Sequence, residues 1–292
     1  MKKIIALLAL GTLSSFSNAE TNSTDTVETK KEKSWLVAPI VVANPSFGNG
    51  AGAIGMYFFN TEKGSTNNPA SSIAAVGMYS DTDSYFIGLF GQTFWKQDTW
   101  RVTAGIAHPS VKNEFNINGV LDNVKFTTTM VGLFTRVDRR VYGDWFFGLK
   151  GFLMDIAYTD PNDQAKAYFQ AYDVEDSTSG QLGLVGSYDT RDHVRYPTSG
   201  NQSELGWMAA PEEWGASESY SITEGFSNQY MSFVDRQVLA LRAYGRFTPS
   251  GTPYSGLSTL GRFGDLRGYT AGENVAENLI ALQGEYRMMF TE

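Results

Sequence analysis

No cysteine occurs in the chain, which excludes a disulfide framework, a thiolate zinc site and a cysteine nucleophile while leaving an oxidising compartment permitted. Histidine is nearly as scarce. His108 and His193 are the two, thin material for a metal site or a nucleophile-base triad. Basic residues are outnumbered, 23 Lys plus Arg against 31 Asp plus Glu for a net charge of −8, so no nucleic-acid partner is expected. Beyond the first residues, no apolar run approaches the ~18–20 residues that a membrane helix needs. Proline is sparse, 9 residues against 30 glycines, and 14% of the chain is aromatic. A mean hydropathy of −0.25 would suggest a soluble protein if only helices crossed membranes. In a spanning β-strand only alternate residues meet lipid, so low average hydropathy with abundant glycine and aromatics fits a barrel equally well.

What is present begins with an address. Met1-Lys2-Lys3 gives a positive start, Ile4 to Leu13 an apolar run, and Ser17-Asn18-Ala19 a small-x-small cleavage site. These are the three regions of a secretory signal peptide over residues 1–19. The mature chain is expected to begin at Glu20 and, without Lys2 and Lys3, to carry a net charge of −10. Residues 20–34 are polar and include the run Lys30-Lys31-Glu32-Lys33, which reads as a disordered periplasmic tail. The remainder, 35–292, reads as one barrel domain.

About twelve strand-like runs follow, at 35–42, 51–59, 71–80, 84–95, 99–108, 124–137, 143–159, 180–190, 201–210, 219–231, 236–247 and 277–289. Their alternation has a period of two. Trp100, Val102, Ala104 and Ile106 oppose Arg101, Thr103 and Gly105; Trp145, Phe147, Leu149 and Leu153 oppose Gly148 and Lys150. Leu182, Leu184 and Tyr188 oppose Gln181, Gly183, Ser187 and Asp189, and Ile280, Leu282, Tyr286 and Met288 oppose Gln283, Glu285 and Arg287. A soluble sandwich would alternate too, but its strands are typically ~5–6 residues long, whereas these runs match the ~9–11 of a tilted membrane strand. Aromatics at run ends, Trp95, Trp100, Trp145 and Tyr158, suggest interfacial girdles. If the tail starts in the periplasm, connections near 96–98, 138–142, 191–200 and 232–235 fall inside. Those at 109–123, 160–179, 211–218 and 248–276 then fall outside. Short turns inside and long loops outside are the outer-membrane arrangement.

Two segments carry more than alternation. Ser187-Tyr188-Asp189-Thr190-Arg191-Asp192 with Tyr196-Pro197-Thr198-Ser199-Gly200 reads as a strand end and a tight turn. Pro197 fixes φ, Gly200 admits positive φ, and Asp189, Arg191 and Asp192 can satisfy turn amides and carbonyls. The other is Gly261-Arg262-Phe263-Gly264-Asp265-Leu266-Arg267-Gly268-Tyr269, followed by Glu285-Tyr286-Arg287. With these four elements, Tyr-Asp-Thr-Arg-Asp, Pro-Thr-Ser-Gly, Leu-Arg-Gly-Tyr and Glu-Tyr-Arg, in that order, the chain resembles the bacterial surface antigen barrels of the BamA and TamA type, the outer-membrane protein-assembly superfamily. The resemblance spans about Trp35 to Phe290. It implies that an outer loop folds back into the lumen, with Arg267 as plug arginine, Gly268 allowing close backbone approach, Tyr269 packing beside it, and Glu285 as the lumen partner. It also implies sixteen strands, of which about twelve are present, so C-terminal strands are expected to be missing unless the twelve close by themselves. The periplasmic transport repeats of that family have no counterpart in residues 20–34.

Other chemistry is weakly indicated. Asp160, Asp163, Asp173, Glu175 and Asp176 make 160–179 acidic without a calcium-loop pattern. His108 stands near Ser110 with no third member, and Gly48-Asn49-Gly50 has no following helix to hold a phosphate. No catalytic residue, metal or cofactor is expected, and the chain is not expected to be an enzyme. The expectation is an all-β transmembrane barrel in a Gram-negative outer membrane. Its partners would be outer-membrane lipid, lipopolysaccharide and unfolded outer-membrane proteins, in protein or lipid assembly or translocation. The competing reading is a passive plugged pore or structural surface protein.

Overall fold

Strict alternation sends one side of a strand to one environment and the other side to another, and from Trp35 onward the chain obeys it. A computed structural model describes residues 34–44, 46–62, 69–117, 120–194, 196–234, 236–260 and 274–288; the expected signal peptide, most of the tail and the Arg267-Gly268-Tyr269 tip lie outside them. The strands are β1 (Trp35–Asn44), β2 (Gly48–Phe59), β3 (Ser71–Ser80), β4 (Tyr85–Trp95), β5 (Trp100–Ile117), β6 (Leu121–Tyr142) and β7 (Trp145–Thr159). After helix α1 (Asp163–Tyr172) come β8 (Ser177–Asp189), β9 (Gly200–Ala210), β10 (Tyr220–Val234) and β11 (Gln237–Phe247). The pair β12 (Ser258–Thr259) and β13 (Val275–Ala276) precedes the last strand, β14 (Asn278–Met288). Twelve of these form one antiparallel sheet in the order β1 to β11 and then β14, each bonded to its neighbour in sequence. β1 and β14 are its edges, and they are not paired with each other.

The two faces differ as the alternation requires. On β8, Leu182 and Leu184 are 48% and 61% exposed, while Gln181 and Val185 on either side of them are buried. Val37, Ile87, Leu89, Phe147, Leu149, Leu205, Ile280 and Leu282 extend that exposed apolar face around the sheet. Trp95, Trp145 and Trp207 belong to it as well. The opposite face is divided. β1 to β4 contain no charged residue, and their inward side chains pack into clusters around Val42, Met78 and Phe86 and around Ile54, Met56 and Ala74. From β5 onward charged and polar side chains join the buried apolar ones on that face.

Four expectations change. The segment 109–123 is not a long loop: β5 runs to Ile117 and β6 starts at Leu121, because Phe115, Val124 and Phe126 keep the inward phase and are buried. Pro109 is tolerated within β5 although it offers no N–H to the ladder. Next to it, His108 Nδ1 lies 2.8 Å from the Met130 carbonyl and its Nε2 2.9 Å from the Tyr85 hydroxyl, which supplies the carbonyl with a partner. The segment 138–142 is likewise strand, with the turn confined to 143–144. The acidic stretch 160–179 holds α1, whose Asn162 side chain caps the Ala165 N–H at 2.8 Å. Tyr158 is no girdle residue: it packs on Phe126, Phe169 and Tyr254.

The connections 60–70, 96–99, 143–144, 190–199 and 235–236 share one end of the sheet, here the turn end. The other, loop end has 45–47, 81–84, 118–120, 160–176, 211–219 and 248–277.

Candidate functional site: the charged inner face and its capped end

Inward positions near the turn end of β5 to β9 hold an ion-pair network. Arg101, at the start of β5, donates from Nε and Nη2 to Asp98 at 2.8 and 2.7 Å, and from Nη1 to Asp189 at 2.8 Å. Asp189, at the end of β8, also receives Arg191 Nε at 2.8 Å and Nη2 at 3.0 Å. Arg140 on β6 reaches Asp98 at 2.5 Å. Between the two guanidiniums lies the fully buried ring of Phe146, 3.9 Å from Arg101 and 4.5 Å from Arg140. Each such stacking contact contributes about 0.5–2 kcal/mol, more when water is excluded.

One layer deeper, Arg136 bridges Asp138 at 2.6 Å and Glu204 of β9 at 2.5 Å. A β-carbon at position 148 would collide with Asp138 Oδ1, so Gly148 is what lets that carboxylate sit against the wall. Lys150 beside it is buried and makes no ion pair among the described residues. Across the sheet, Arg246 faces Glu224 and donates to Ser258 Oγ at 3.1 Å, while Arg242 donates to Asn228 at 2.9 Å. Removing one member of a buried pair leaves the other charge uncompensated, at a cost of about 3–5 kcal/mol. The network therefore holds strands far apart in sequence in one arrangement.

The expected turn residues take defined places. Arg191 is buried on Asp189 and also donates to the Val194 carbonyl at 2.9 Å. Asp192 accepts from the backbone N–H of His193 and Thr198, both at 2.9 Å, and of Ser199 at 3.2 Å, and from the Thr198 hydroxyl at 2.5 Å. Partial burial opposes its ionisation, but the bonds from Thr198, Ser199 and His193 outweigh that and hold its carboxyl below the ordinary range. Pro197 is buried. Gly200 has φ +97° and a β-carbon there would strike the Thr190 carbonyl, so only glycine fits.

At the loop end, aromatic side chains close over the inner face. Tyr168 of α1 is fully buried among Phe115, Phe126 and Tyr254. Its hydroxyl donates to that of Tyr254 at 3.1 Å, and burial pushes its phenol well above the ordinary value. Connections 160–176 and 248–257 thus meet through one cluster.

Glu285 lies on the inward side of β14, opposite Ala240, and pairs with Arg287 at 3.1 Å while remaining 57% exposed. Its expected partner Arg267, with Gly268 and Tyr269, lies outside the described residues. Sequence reasoning placed Arg101 and Lys150 on the inward phase but missed Asp98, Arg136, Asp138, Arg140, Phe146 and Glu204 as a set. The available signal was the charged period of Arg136, Asp138 and Arg140 on one phase of the run.

No family model matches the chain, and no curated protein does. Solved structures do. The BamA structure from Haemophilus ducreyi lacking POTRA domains 1–3 superposes with a TM-score of 0.51 at 16% identity, covering 82% of this chain and 46% of that one. The chain folds as an outer-membrane β-barrel wall. It spans less than half the length of that BamA structure. OmpT of Vibrio cholerae is also matched, at 11% identity, TM-score 0.42, and coverage of 82% and 79%. An in-vitro folded OmpT structure gives 10% identity, TM-score 0.35, and coverage of 87% and 95%. The sequence-based exclusion of enzymatic activity is corrected here: the barrel fold shared with the BamA structure does not by itself decide chemistry and leaves catalysis open.

Proposed function

We propose that this chain is an outer-membrane barrel of the surface-antigen or assembly type that takes part in outer-membrane protein or lipid assembly or translocation. The observation carrying the reading is the contrast between faces: a continuous apolar outer surface and a charged, ion-paired inner one from β5 onward. Hydrocarbon accepts the first and rejects the second. The ordered surface-antigen elements and the BamA-type barrel fold support the assembly assignment. In this reading the leader is cleaved after Ala19. Arg267 enters the lumen toward Glu285, so Arg267→Ala is expected to lower the protease resistance of the loop that carries it.

A second reading, a passive plugged barrel, is favoured by the aromatic cap and the cross-strand ion pairs, which brace the interior. Gene deletion followed by an assay of outer-membrane protein insertion separates them, together with bilayer conductance of the purified protein. An insertion defect restored by the wild-type gene supports assembly. Normal insertion contradicts it, and steady conduction alongside that result assigns a passive pore.

A further inference from the structure

In the turn-end half of the wall, the outward strand positions carry apolar, aromatic or uncharged polar side chains, with one exception among the described residues. Arg139 of β6 is exposed on the hydrocarbon-facing phase, between Trp100 of β5 and Phe147 of β7. Its guanidinium lies 5.5 Å from the centre of the Trp100 ring and makes no hydrogen bond or ion pair among the described residues. Acids at that end are engaged elsewhere. Asp98 pairs with Arg101 and Arg140, Asp144 with Arg140, and Asp189 with Arg101 and Arg191. Glu62 accepts from the backbone N–H of Lys96 at 2.7 Å. The inward arginines thus have carboxylates, and the outward one has an indole.

We propose that Arg139 holds the phosphodiester of an anionic glycerophospholipid in the leaflet that meets the turn end. The inference rests on the outer-membrane reading above and adds a ligand site to it. In that reading the short turns face the periplasm, and the leaflet on that side is built of glycerophospholipid rather than lipopolysaccharide. A cation at the border of hydrocarbon is stabilised by reaching the head-group zone and by an anion there. The face of the guanidinium is turned to the indole, which leaves its edge N–H groups to donate as a fork to two phosphate oxygens. Trp95 and Trp145, exposed on the same side, are amphipathic rings that mark where tail gives way to head group. The next outward row toward the middle of the wall, Val102, Val137 and Leu149, is apolar and receives the acyl chain. Charge selects the head: with the neighbouring acids engaged, phosphatidylglycerol is favoured over phosphatidylethanolamine, whose own ammonium competes for the phosphate.

Native mass spectrometry of the full chain in detergent, titrated with phosphatidylglycerol or phosphatidylethanolamine, tests the site. The expected result is one retained phosphatidylglycerol, with weaker retention of phosphatidylethanolamine. Arg139→Gln should weaken phosphatidylglycerol retention about fivefold, the effect of one cation beside an anionic lipid surface. Arg139→Lys keeps the charge without the fork; it should fall between the two, and it serves as the test variant should Arg139→Gln not fold. Lys112→Gln, which removes an exposed cation of the loop end, should leave retention unchanged. Excess glycerophosphoglycerol, the head group without its tails, should not displace the lipid. Retention in the Arg139 variants equal to that of the wild type overturns the proposal, as does an equal loss in Lys112→Gln or equal retention of phosphatidylethanolamine. Displacement by the soluble head group overturns it also, since the site would then bind a free phosphodiester rather than a membrane lipid. If instead the wild type stays dissolved without detergent, the outer-membrane reading itself fails.

Discussion

Arg101 joins a turn, two strands and an aromatic ring through one side chain. Its planar fork serves Asp98 and Asp189 together while its face covers Phe146, a combination that lysine cannot reproduce. Arg101→Ala is expected to lower unfolding stability by about 3–5 kcal/mol, and Arg101→Lys to recover only part of the loss. Urea titration of the vesicle-inserted protein measures both, and an unchanged midpoint for Arg101→Ala would contradict the network's role. Asp192 supplies a pH-dependent counterpart outside the strands. Its carboxyl is lowered in the fold by bonds from Thr198, Ser199 and His193 acting against partial burial. A depressed acid contributes stability that is complete above its unfolded value and lost as pH falls through the folded one. The 190–199 turn should therefore become more protease-sensitive on acidification below the ordinary aspartate range, and Asp192→Asn should show that sensitivity already at neutral pH. Cleavage independent of pH would contradict the assignment.

Among the elements, α1 ties the loop end together. It is too short to be stable alone, and it stands because Asn162 caps it and Tyr168 is buried against β5, β6 and Tyr254. Asn162→Ala should cost about 0.5–2 kcal/mol. Tyr168→Ala should cost about 3–5 kcal/mol, as for other large buried aromatics. Hydrogen exchange should report both as faster opening of 160–176 and, for Tyr168→Ala, of 248–257 also. Exchange confined to the helix after loss of Tyr168 would show that the two connections are independent. The helix was legible in principle from Asn162 and the spacing of Ala165, Tyr168, Phe169 and Tyr172, but the acidic residues on either side read as a solvated loop. The β5–β6 hairpin was obscured differently: Pro109 and the run Asn116-Ile117-Asn118-Gly119 have turn chemistry, and only the persistence of Phe115, Val124 and Phe126 on one phase marks strand.

For the whole molecule, period-two alternation conveyed the strand count, the order and the two faces, because one residue of slip would invert every side chain. Positions such as Leu182, Leu184, Arg101 and Asp189 could be assigned to a face from sequence alone. Which inward charges meet could not: Arg136 reaches Glu204 across two intervening strands, a distance set by the curvature of the sheet rather than by any local pattern. The division of the inner face, without charge across β1 to β4 and carrying charges among its apolar residues beyond, is written in the sequence and acquires meaning only once the strands are set side by side.

One face of the sheet meets hydrocarbon while the other meets water. The chain contains no cysteine, so single cysteines can be placed along β8 from Leu182 to Tyr188, spin-labelled, and measured in phospholipid vesicles for collision with oxygen and with a water-soluble nickel chelate. Labels at Leu182, Leu184, Gly186 and Tyr188 should favour oxygen and those at Gly183, Val185 and Ser187 the chelate, a clean period of two. Uniform access of the chelate along the strand, or a protein that remains in solution without entering the vesicles, would contradict it.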